Sequence, residues 1–470
     1  MEVQWPWLIV TTMIAYAVIR PMYLLFFHPA SRFPGPKLAA TSHAVYVYYW
    51  IRGRWPWFQE AMVEKYGDVV RVAPNELVFL NPKAATGQLF EALPSIMDHT
   101  LSRELDIYGP AMKSQEIFQK TDMMDFGSGD LGLTWENDPA KHREVARKIL
   151  PAFSSKAIKA KEPILQSYID LFVSRMREVG GLAGGLEMSQ WLIWLCADIA
   201  ADLAFGRETH HVRDGKSSDF IDTLRATSFP GTLWQLSGKF PLVAPFAFFF
   251  VPLKTLLSMP KTFKAVSEQV QARIASRGNT KHPDYMDYMV SPEGPVPTSK
   301  KELTHIEQVA LQMFIAGFDP MQVTFFASIY FLVQNLQACS RLTKEIRDTF
   351  SNYDDITPEA LSSLKYLHAF IQETLRMHPV GSNGLPRISP GATVDGVYVP
   401  KGVSLFGRSA TIHVQAMSPG ITLPSRLSVS SALSLRLVVR DFSTNLANFD
   451  QNAGYPMITL YMIPRLRMTT

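Results

Sequence analysis

Cysteine is nearly missing from this chain of 470 residues, which contains only two, Cys196 and Cys339. Two cysteines in so long a chain give no disulfide framework, which fits a reducing compartment such as the cytosol. The sequence also lacks internal repeats and low-complexity tracts. Its net charge of +4 and pI near 8.8 are too mild to indicate a nucleic-acid partner.

A second deficiency lies past residue 400. No Asp or Glu occurs between Asp395 and Asp441, and residues 414–440 contain no aromatic residue. Serine and leucine dominate there instead. We interpret this region as disrupted, for example by a splicing or reading-frame scar, with sequence missing or scrambled between His413 and the neighbourhood of Leu435. Over the whole chain, 47% of the residues are apolar and 19% are charged, which predicts a large ordered core.

The start of the chain lacks basic residues before an apolar run from Trp5 to Phe27, which is long enough to cross a bilayer. A cleaved signal peptide is the alternative. Against it, the first residues carry Glu2 rather than Lys or Arg, and no small-x-small cleavage site follows. Basic residues on the C-terminal side, Arg20, Arg32 and Lys37, favour a retained single-pass anchor and a cytosolic main domain.

Local patterns predict the elements that follow. The stretch Phe33-Pro34-Gly35-Pro36 predicts a stiff, non-helical connector. Residues 69–72 and 77–80 are β-rich runs separated by turn residues, which predicts a hairpin. Helices are predicted over residues 141–178, as a pair joined near residues 151–154, and over residues 186–205 and 303–335.

Two groups of residues in the second half of the chain are candidates for functional or structural roles. Asp319 follows Gly317 in the middle of the long apolar helix. Glu373 and Arg376 are three residues apart, so they share a helix face and can form a charge-assisted pair. Leu385-Pro386-Arg387 comes next, followed by a predicted strand within residues 396–402.

This order of motifs resembles the cytochrome P450 superfamily, the haem-thiolate monooxygenases, from about Phe33 to His413 and again near the C-terminus. The resemblance implies a mainly α-helical fold with a small β subdomain and an N-terminal transmembrane helix. The domain boundaries that it predicts are a membrane anchor at 1–27, a proline-rich hinge at 28–40, a P450-like domain at 41–413, a disrupted segment replacing the haem-binding loop at 414–434, and a remnant of the last helix and strands at 435–470.

The resemblance gives Asp319 a role in proton relay during oxygen activation. The family usually places Thr directly after this acid, where this chain has Pro320, and Thr324 about one turn later could partly substitute for it. A kinked core helix with one buried acid is the alternative interpretation. Glu373 and Arg376 would form the structural ion pair behind the haem, which holds the ligand loop and performs no chemistry.

Basic side chains in this family contact the haem propionates. Arg387 and His142 match two such positions. The arginine expected one turn after His142 is Ala146 here, with Arg147 adjacent. His413 is the last position at which the resemblance can be followed before the break, and a lone histidine is more often an ordinary polar residue.

The family binds haem iron through a cysteine in a glycine-rich loop downstream of the Glu-x-x-Arg pair, and no cysteine follows Cys339. Cys196 lies in an apolar helix and is expected to pack in the core. Cys339 lies outside the expected haem loop. We therefore predict no metal ligand, so haem, the cofactor implied by the family, would lack the thiolate that favours O–O cleavage.

The lineage implies oxidation of a small apolar molecule by dioxygen and NADPH, with electrons from NADPH–cytochrome P450 reductase at the endoplasmic reticulum membrane. The proline-rich start and residues 66–77 resemble fungal members that tailor secondary metabolites such as alkaloids, terpenoids or polyketides. Three hypotheses compete. The chain is a degenerate oxygenase without turnover, which the missing cysteine favours; or an active oxygenase whose deduced C-terminus is wrong; or a non-catalytic membrane protein that binds a ligand or partner.

A run of basic residues would form the reductase-docking surface, although such runs are on average simply solvated helix faces. Its members are Arg143, Arg147, Lys148, Lys156, Lys159 and Lys161.

Overall fold

The computed structural model describes residues 5–79, 107, 117–121, 129–181, 185–240, 249, 251–291, 293–381, 384–394, 396–407, 436–439 and 460–462. Contacts within the chain define two compact units. Unit 1 comprises residues 1–144, 225–257 and 381–413, and unit 2 comprises residues 145–224, 258–380 and 414–470.

Most of the described residues are helical. The α-helices are α1 (Trp5–Phe26), α2 (Lys37–Thr41), α3 (Ala44–Ile51), α4 (Trp55–Tyr66), α5 (Pro139–Ile149), α6 (Ser155–Val179), α7 (Met188–Phe205), α8 (His211–Asp214), α9 (Asp219–Ala226), α10 (Ser228–Ser237), α11 (Leu253–Ala275), α12 (Met286–Met289), α13 (Lys300–Gln334), α14 (Leu336–Thr349), α15 (Pro358–Leu361) and α16 (Lys365–Met377). Short 3₁₀ turns occupy Leu150–Phe153 and Tyr353–Asp355.

The strands are short. They are β1 (Val69–Ala73), β2 (Glu76–Phe79), β3 (Gln119–Lys120), β4 (Leu186–Glu187), β5 (Pro386–Ile388), β6 (Ala392–Val394), β7 (Val397–Val399), β8 (Ser404–Gly407), β9 (Arg436–Val439) and β10 (Leu460–Met462). The mainly helical fold with a small β component is therefore confirmed.

Helix α1 is the predicted membrane anchor. Of the helices in the described residues, α1, α7 and α13 are long and apolar enough to cross a membrane. Helix α7 is mostly buried inside the protein, and α13 is partly buried. Helix α1 is almost entirely exposed, as a helix surrounded by lipid would be.

Unit 1 contains a mixed sheet. Within the described residues its strand order is β1-β2-β8-β5-β3. The predicted hairpin is confirmed, because β1 and β2 pair in antiparallel fashion with Val70 opposite Val78. Strand β2 also pairs in parallel with β8, and Leu77 and Leu405 lie opposite each other and are fully buried. Strands β6 and β7 form a separate antiparallel pair.

Unit 2 is built around helix α7. Fourteen of its residues, from Trp191 to Phe205, are buried. The hydrophobic cluster that contains ten of them also includes Phe314 and Phe318 of α13 and Val270 of α11. Helices α7 and α13 thus bury apolar faces in one core, which accounts for the all-round apolar sequence of α7. Strands β4, β9 and β10 form a small antiparallel sheet in this unit.

Candidate functional site

Helix α13, which carries Asp319 and Thr324, begins at a well-defined cap. The Ser299 hydroxyl accepts a hydrogen bond of 3.2 Å from the Glu302 amide, and Ser-x-x-Glu is the sequence of a capping box. The helix then continues to Gln334 without interruption. Pro320 lacks an N–H and so cannot donate the hydrogen bond that the preceding turn would otherwise receive.

Asp319 is exposed, so the alternative of a kinked core helix with one buried acid is wrong. Its Oδ1 accepts a hydrogen bond of 3.3 Å from Gln322. The same stretch exposes 37% of Ile315, 44% of Met321 and 38% of Phe325. This part of α13 therefore presents an accessible apolar surface with one carboxylate, and such a surface suits an apolar ligand.

Thr324 does not reproduce the hydroxyl that the family places beside the acid. It follows Pro320 by four residues, so it shares the proline's helix face but lies about 6 Å further along the axis. Its Oγ1 donates a hydrogen bond of 2.8 Å to the Pro320 carbonyl. The hydroxyl hydrogen is thus used within the helix, and only its lone pairs remain for a water or ligand.

Glu373 and Arg376 form the predicted ion pair on α16. Arg376 Nε and Nη2 donate to Glu373 Oε2 and Oε1, and both distances are 2.6 Å. The side chain of Glu373 is 16% exposed and that of Arg376 is 25% exposed. The hydrogen bonds that Arg376 donates to Glu373 raise the pKa of Arg376 above its usual value. This bidentate geometry favours a fixed orientation of both side chains.

Arg387 and His142 lie close enough in unit 1 for the guanidinium to influence the imidazole. Burial is the main cause of a lowered pKa at His142, and the positive charges of Lys120 and Arg387 lower it further. Lys120 and Arg387 are opposite each other on the antiparallel strands β3 and β5. Arg387 is 6% exposed. The Glu136 carboxylate acts in the opposite direction and raises the pKa of His142. Two neighbouring cations suit a carboxylate, so the cluster fits a propionate group.

Lys120 is a member of this cluster that sequence reasoning missed. Its Nζ also donates a hydrogen bond of 3.0 Å to the Thr134 carbonyl. Strand β3 has only two residues. A strand this short leaves no periodic pattern, so nothing in the sequence indicated that Lys120 would lie opposite Arg387.

The two remaining residues predicted to contact the cofactor are Arg147 and His413. Arg147 is exposed on α5, and five residues separate it from His142, which places it about 140° away around the helix. The structure therefore does not bring Arg147 beside His142. His413 lies outside the described residues.

Lys161 does not belong to the basic surface run, contrary to expectation. It is 5% exposed, and its Nζ donates a hydrogen bond of 2.9 Å to the Ala152 carbonyl. The ammonium also lies 5.1 Å from the ring centre of Tyr285. Other members of the run on α5 and α6, among them Lys148, Lys156 and Lys159, are exposed.

Neither thiol suits a metal. Cys196 is 3% exposed in the core of unit 2, and burial raises its pKa to about 12, so it remains protonated at neutral pH. Cys339 lies on α14 and is partly buried. In the part of the chain that the structure describes, no group of His, Cys, Asp and Glu could hold a metal ion. The propionate contacts of a haem fit these residues, and its axial thiolate does not.

Comparisons with known proteins agree on one family. The family described as "Cytochrome P450" matches residues 96–414, so the match ends at the start of the segment interpreted from the sequence as disrupted. A protein named "Cytochrome P450 monooxygenase TwmD" from Talaromyces wortmannii is 41% identical over 83% of this chain and 72% of its own length. "Cytochrome P450 monooxygenase BOA3" from Botryotinia fuckeliana is 31% identical over 85% of this chain and 74% of its own length.

Proposed function

The chain belongs to the cytochrome P450 family, and we propose that it is a member of a fungal secondary-metabolite pathway that has lost monooxygenase turnover. One observation carries the proposal: no cysteine follows Cys339, whereas the family's ligand lies downstream of the pair formed by Glu373 and Arg376. The protonated thiol of buried Cys196 cannot replace that ligand. Without a thiolate, bound iron would lack the electron donation that promotes O–O cleavage.

Proton delivery is a second weakness. Asp319 is accessible, but Pro320 supplies no hydroxyl beside it, and the Thr324 hydroxyl donates to a backbone carbonyl. Restoring a cysteine alone would therefore not restore full activity. The exposed apolar residues of α13 support an apolar ligand as the molecule that the lineage binds.

The proposal places the protein in the endoplasmic reticulum membrane through α1, with the main domain in the cytosol. An acidic flavoprotein reductase would approach the exposed lysines of α5 and α6. Lys159 is paired with Glu359 at 3.1 Å, so part of this charge is already neutralised. Docking through such exposed charges would weaken as the salt concentration rises.

Activity of the purified full chain tests the proposal. The chain and the Talaromyces wortmannii relative would each be reconstituted with haem, a fungal P450 reductase and NADPH in the same bilayer preparation. We expect substrate oxidation by the relative and none by this chain, even where the chain retains porphyrin. Substrate oxidation by this chain, at a rate within tenfold of the relative, would refute the proposal.

A second candidate is an active oxygenase whose deduced sequence is wrong near the C-terminus. The change of composition past residue 400, at the end of the family match, favours it. Sequencing the transcript across residues 400–445 distinguishes the two. A reading frame that encodes a glycine-rich loop with a cysteine would establish the second candidate and remove the basis of the first.

A further inference from the structure

The buried guanidinium of Arg71 joins the membrane helix to the first sheet of unit 1. Arg71 lies on β1 and is 2% exposed. Its Nη1 donates a hydrogen bond of 2.7 Å to the Leu24 carbonyl, in the last turn of α1. Its Nε and Nη2 donate to the Pro74 carbonyl at 3.2 and 2.6 Å. One side chain thus connects the anchor to the turn between β1 and β2.

Leu24 is a position where a helix needs an outside donor. The last carbonyls of a helix have no intrahelical partner. The His28 amide, four residues after Leu24, instead donates to the Tyr23 carbonyl at 2.9 Å. Arg71 supplies the missing hydrogen bond to Leu24, and its positive charge lies at the negative end of the helix dipole.

Burial makes this contact costly to break. Loss of solvent lowers the pKa of Arg71, although an arginine remains charged at neutral pH. The acceptors described for the guanidinium are main-chain carbonyls, which offset its desolvation through charge-assisted hydrogen bonds. A side chain without these donors would leave two buried carbonyls without their partners.

The proline-rich connector is fixed to the same strand. The Arg71 amide donates a hydrogen bond of 2.8 Å to the Pro34 carbonyl. A Cβ on Gly35 would lie 2.2 Å from the Arg71 carbonyl oxygen, so only glycine allows this approach of the two backbones. Ala30 and Phe33 are buried in the hydrophobic cluster that contains Leu77 of β2. The connector is therefore packed against the sheet rather than free.

We propose that Arg71 is a positioning residue that clamps the cytosolic end of α1 and fixes the angle between the anchor helix and the first sheet. The partner is a lipid bilayer. The hydrogen bonds from Arg71 to the Leu24 and Pro74 carbonyls determine how unit 1 is oriented on it. Neither Asp319 nor Thr324 takes part in the contacts described for Arg71. The inference therefore holds whether or not the chain turns over a substrate.

A distance between two spin labels in lipid nanodiscs tests this. Met13 on α1 and Lys401 before β8 are both exposed and would be replaced by Cys for labelling. A Cys339→Ser background removes the accessible native thiol, and Cys196 is buried. Met13 is about 16 Å along the helix from Leu24, so a 20° change of helix direction moves its label by about 5 Å.

We expect one narrow distance distribution for the parent protein and a distribution at least twice as wide for Arg71→Gln. Arg71→Lys retains the charge but cannot reach both carbonyls, so an intermediate width is expected. Gly35→Ala should widen the distribution independently, because it separates the connector from β1. Arg52→Gln is the matched control. Arg52 is an exposed arginine of the same unit that bonds the Tyr48 hydroxyl, and its loss should leave the distribution unchanged.

If Arg71→Gln does not fold, Arg71→Lys and Gly35→Ala carry the test. Reduced thermal stability with an unchanged distance distribution in Arg71→Lys and Gly35→Ala would overturn the proposal. In that case Arg71 would only stabilise the hairpin. A broad distribution already present in the parent protein would overturn it as well.

Discussion

Arg376 donates two parallel hydrogen bonds of 2.6 Å to Glu373 within a single helix. In the family that this chain resembles, such a pair holds the loop that carries the haem ligand. Here both residues lie on α16, so these two hydrogen bonds form within one helix. An intrahelical pair of this kind can form whatever the sequence of the ligand segment.

The pair should stabilise unit 2 even though no thiolate depends on it. Arg376→Met leaves the partly buried Glu373 carboxylate without its charge partner, and we expect a loss of about 2 kcal/mol in the free energy of unfolding. Urea unfolding of Arg376→Met, of a single variant of Glu373 and of the double variant would measure the coupling energy between the two side chains.

The matched control is the pair formed by Arg175 and Glu178, which has the same spacing but is 28% and 54% exposed. Its coupling energy should be about 0.5 kcal/mol. Equal coupling energies for the two pairs would contradict the importance assigned to burial.

Gly206 should resist substitution more strongly than another glycine of similar backbone geometry. Gly206 follows α7 with φ of +62°, and a Cβ there would lie 2.5 Å from Asp284 Oδ2. Gly215 has φ of +61°, but the nearest atom to its Cβ would be 3.9 Å away. We expect Gly206→Ala to cost about 3 kcal/mol and Gly215→Ala about 1 kcal/mol. Thermal unfolding of the two variants measures the difference, and equal losses would show that the contact with Asp284 is irrelevant.

His43 should make the protein less stable in acid. Burial, Lys239 and Arg20 lower its pKa to about 4. Between pH 6.5 and 4.5 the unfolded chain therefore binds a proton at this position that the folded chain does not. The linkage then favours unfolding as the pH falls, by on the order of 2 kcal/mol over that range.

His43→Asn removes this titration. Between pH 6.5 and 4.5, the free energy of unfolding of this variant should fall less than that of the parent protein. Urea unfolding of both proteins in one detergent measures this. If the free energies of unfolding of the parent and His43→Asn fall in parallel as the pH falls, His43 is not a cause of the acid sensitivity.

Much of the fold followed from the sequence because its signals are local. Each signal lies in one continuous stretch of the chain: the apolar run of α1, the turn residues between β1 and β2, and the glutamate and arginine of α16. The sequence predicted less well which side chains tertiary packing buries. Lys161 is in a basic run, yet it packs on Tyr285, which is 124 residues further along the chain. Asp319 lies in a largely apolar helix, yet it is exposed.

The cation cluster of unit 1 should bind the carboxylates of a porphyrin. Metal-free protoporphyrin carries two propionates and no iron, so its affinity is independent of any axial ligand. We expect Arg387→Leu to weaken its binding about tenfold, because a charge-assisted hydrogen bond contributes roughly 1.5 kcal/mol. Absorbance titration of the full chain measures this. Lys401→Gln, an exposed substitution in the same unit, should not change the affinity, and an unchanged affinity in Arg387→Leu would exclude the cluster as the binding site.

The absorption spectrum of the reduced, carbon monoxide-treated protein reports the iron ligand. The full chain would be reconstituted with haem beside the relative from Talaromyces wortmannii, which serves as the positive control. We expect a thiolate-type Soret band from the relative and none from this chain. A thiolate-type band from this chain, in proportion to its haem content, would show that a thiolate binds the iron after all.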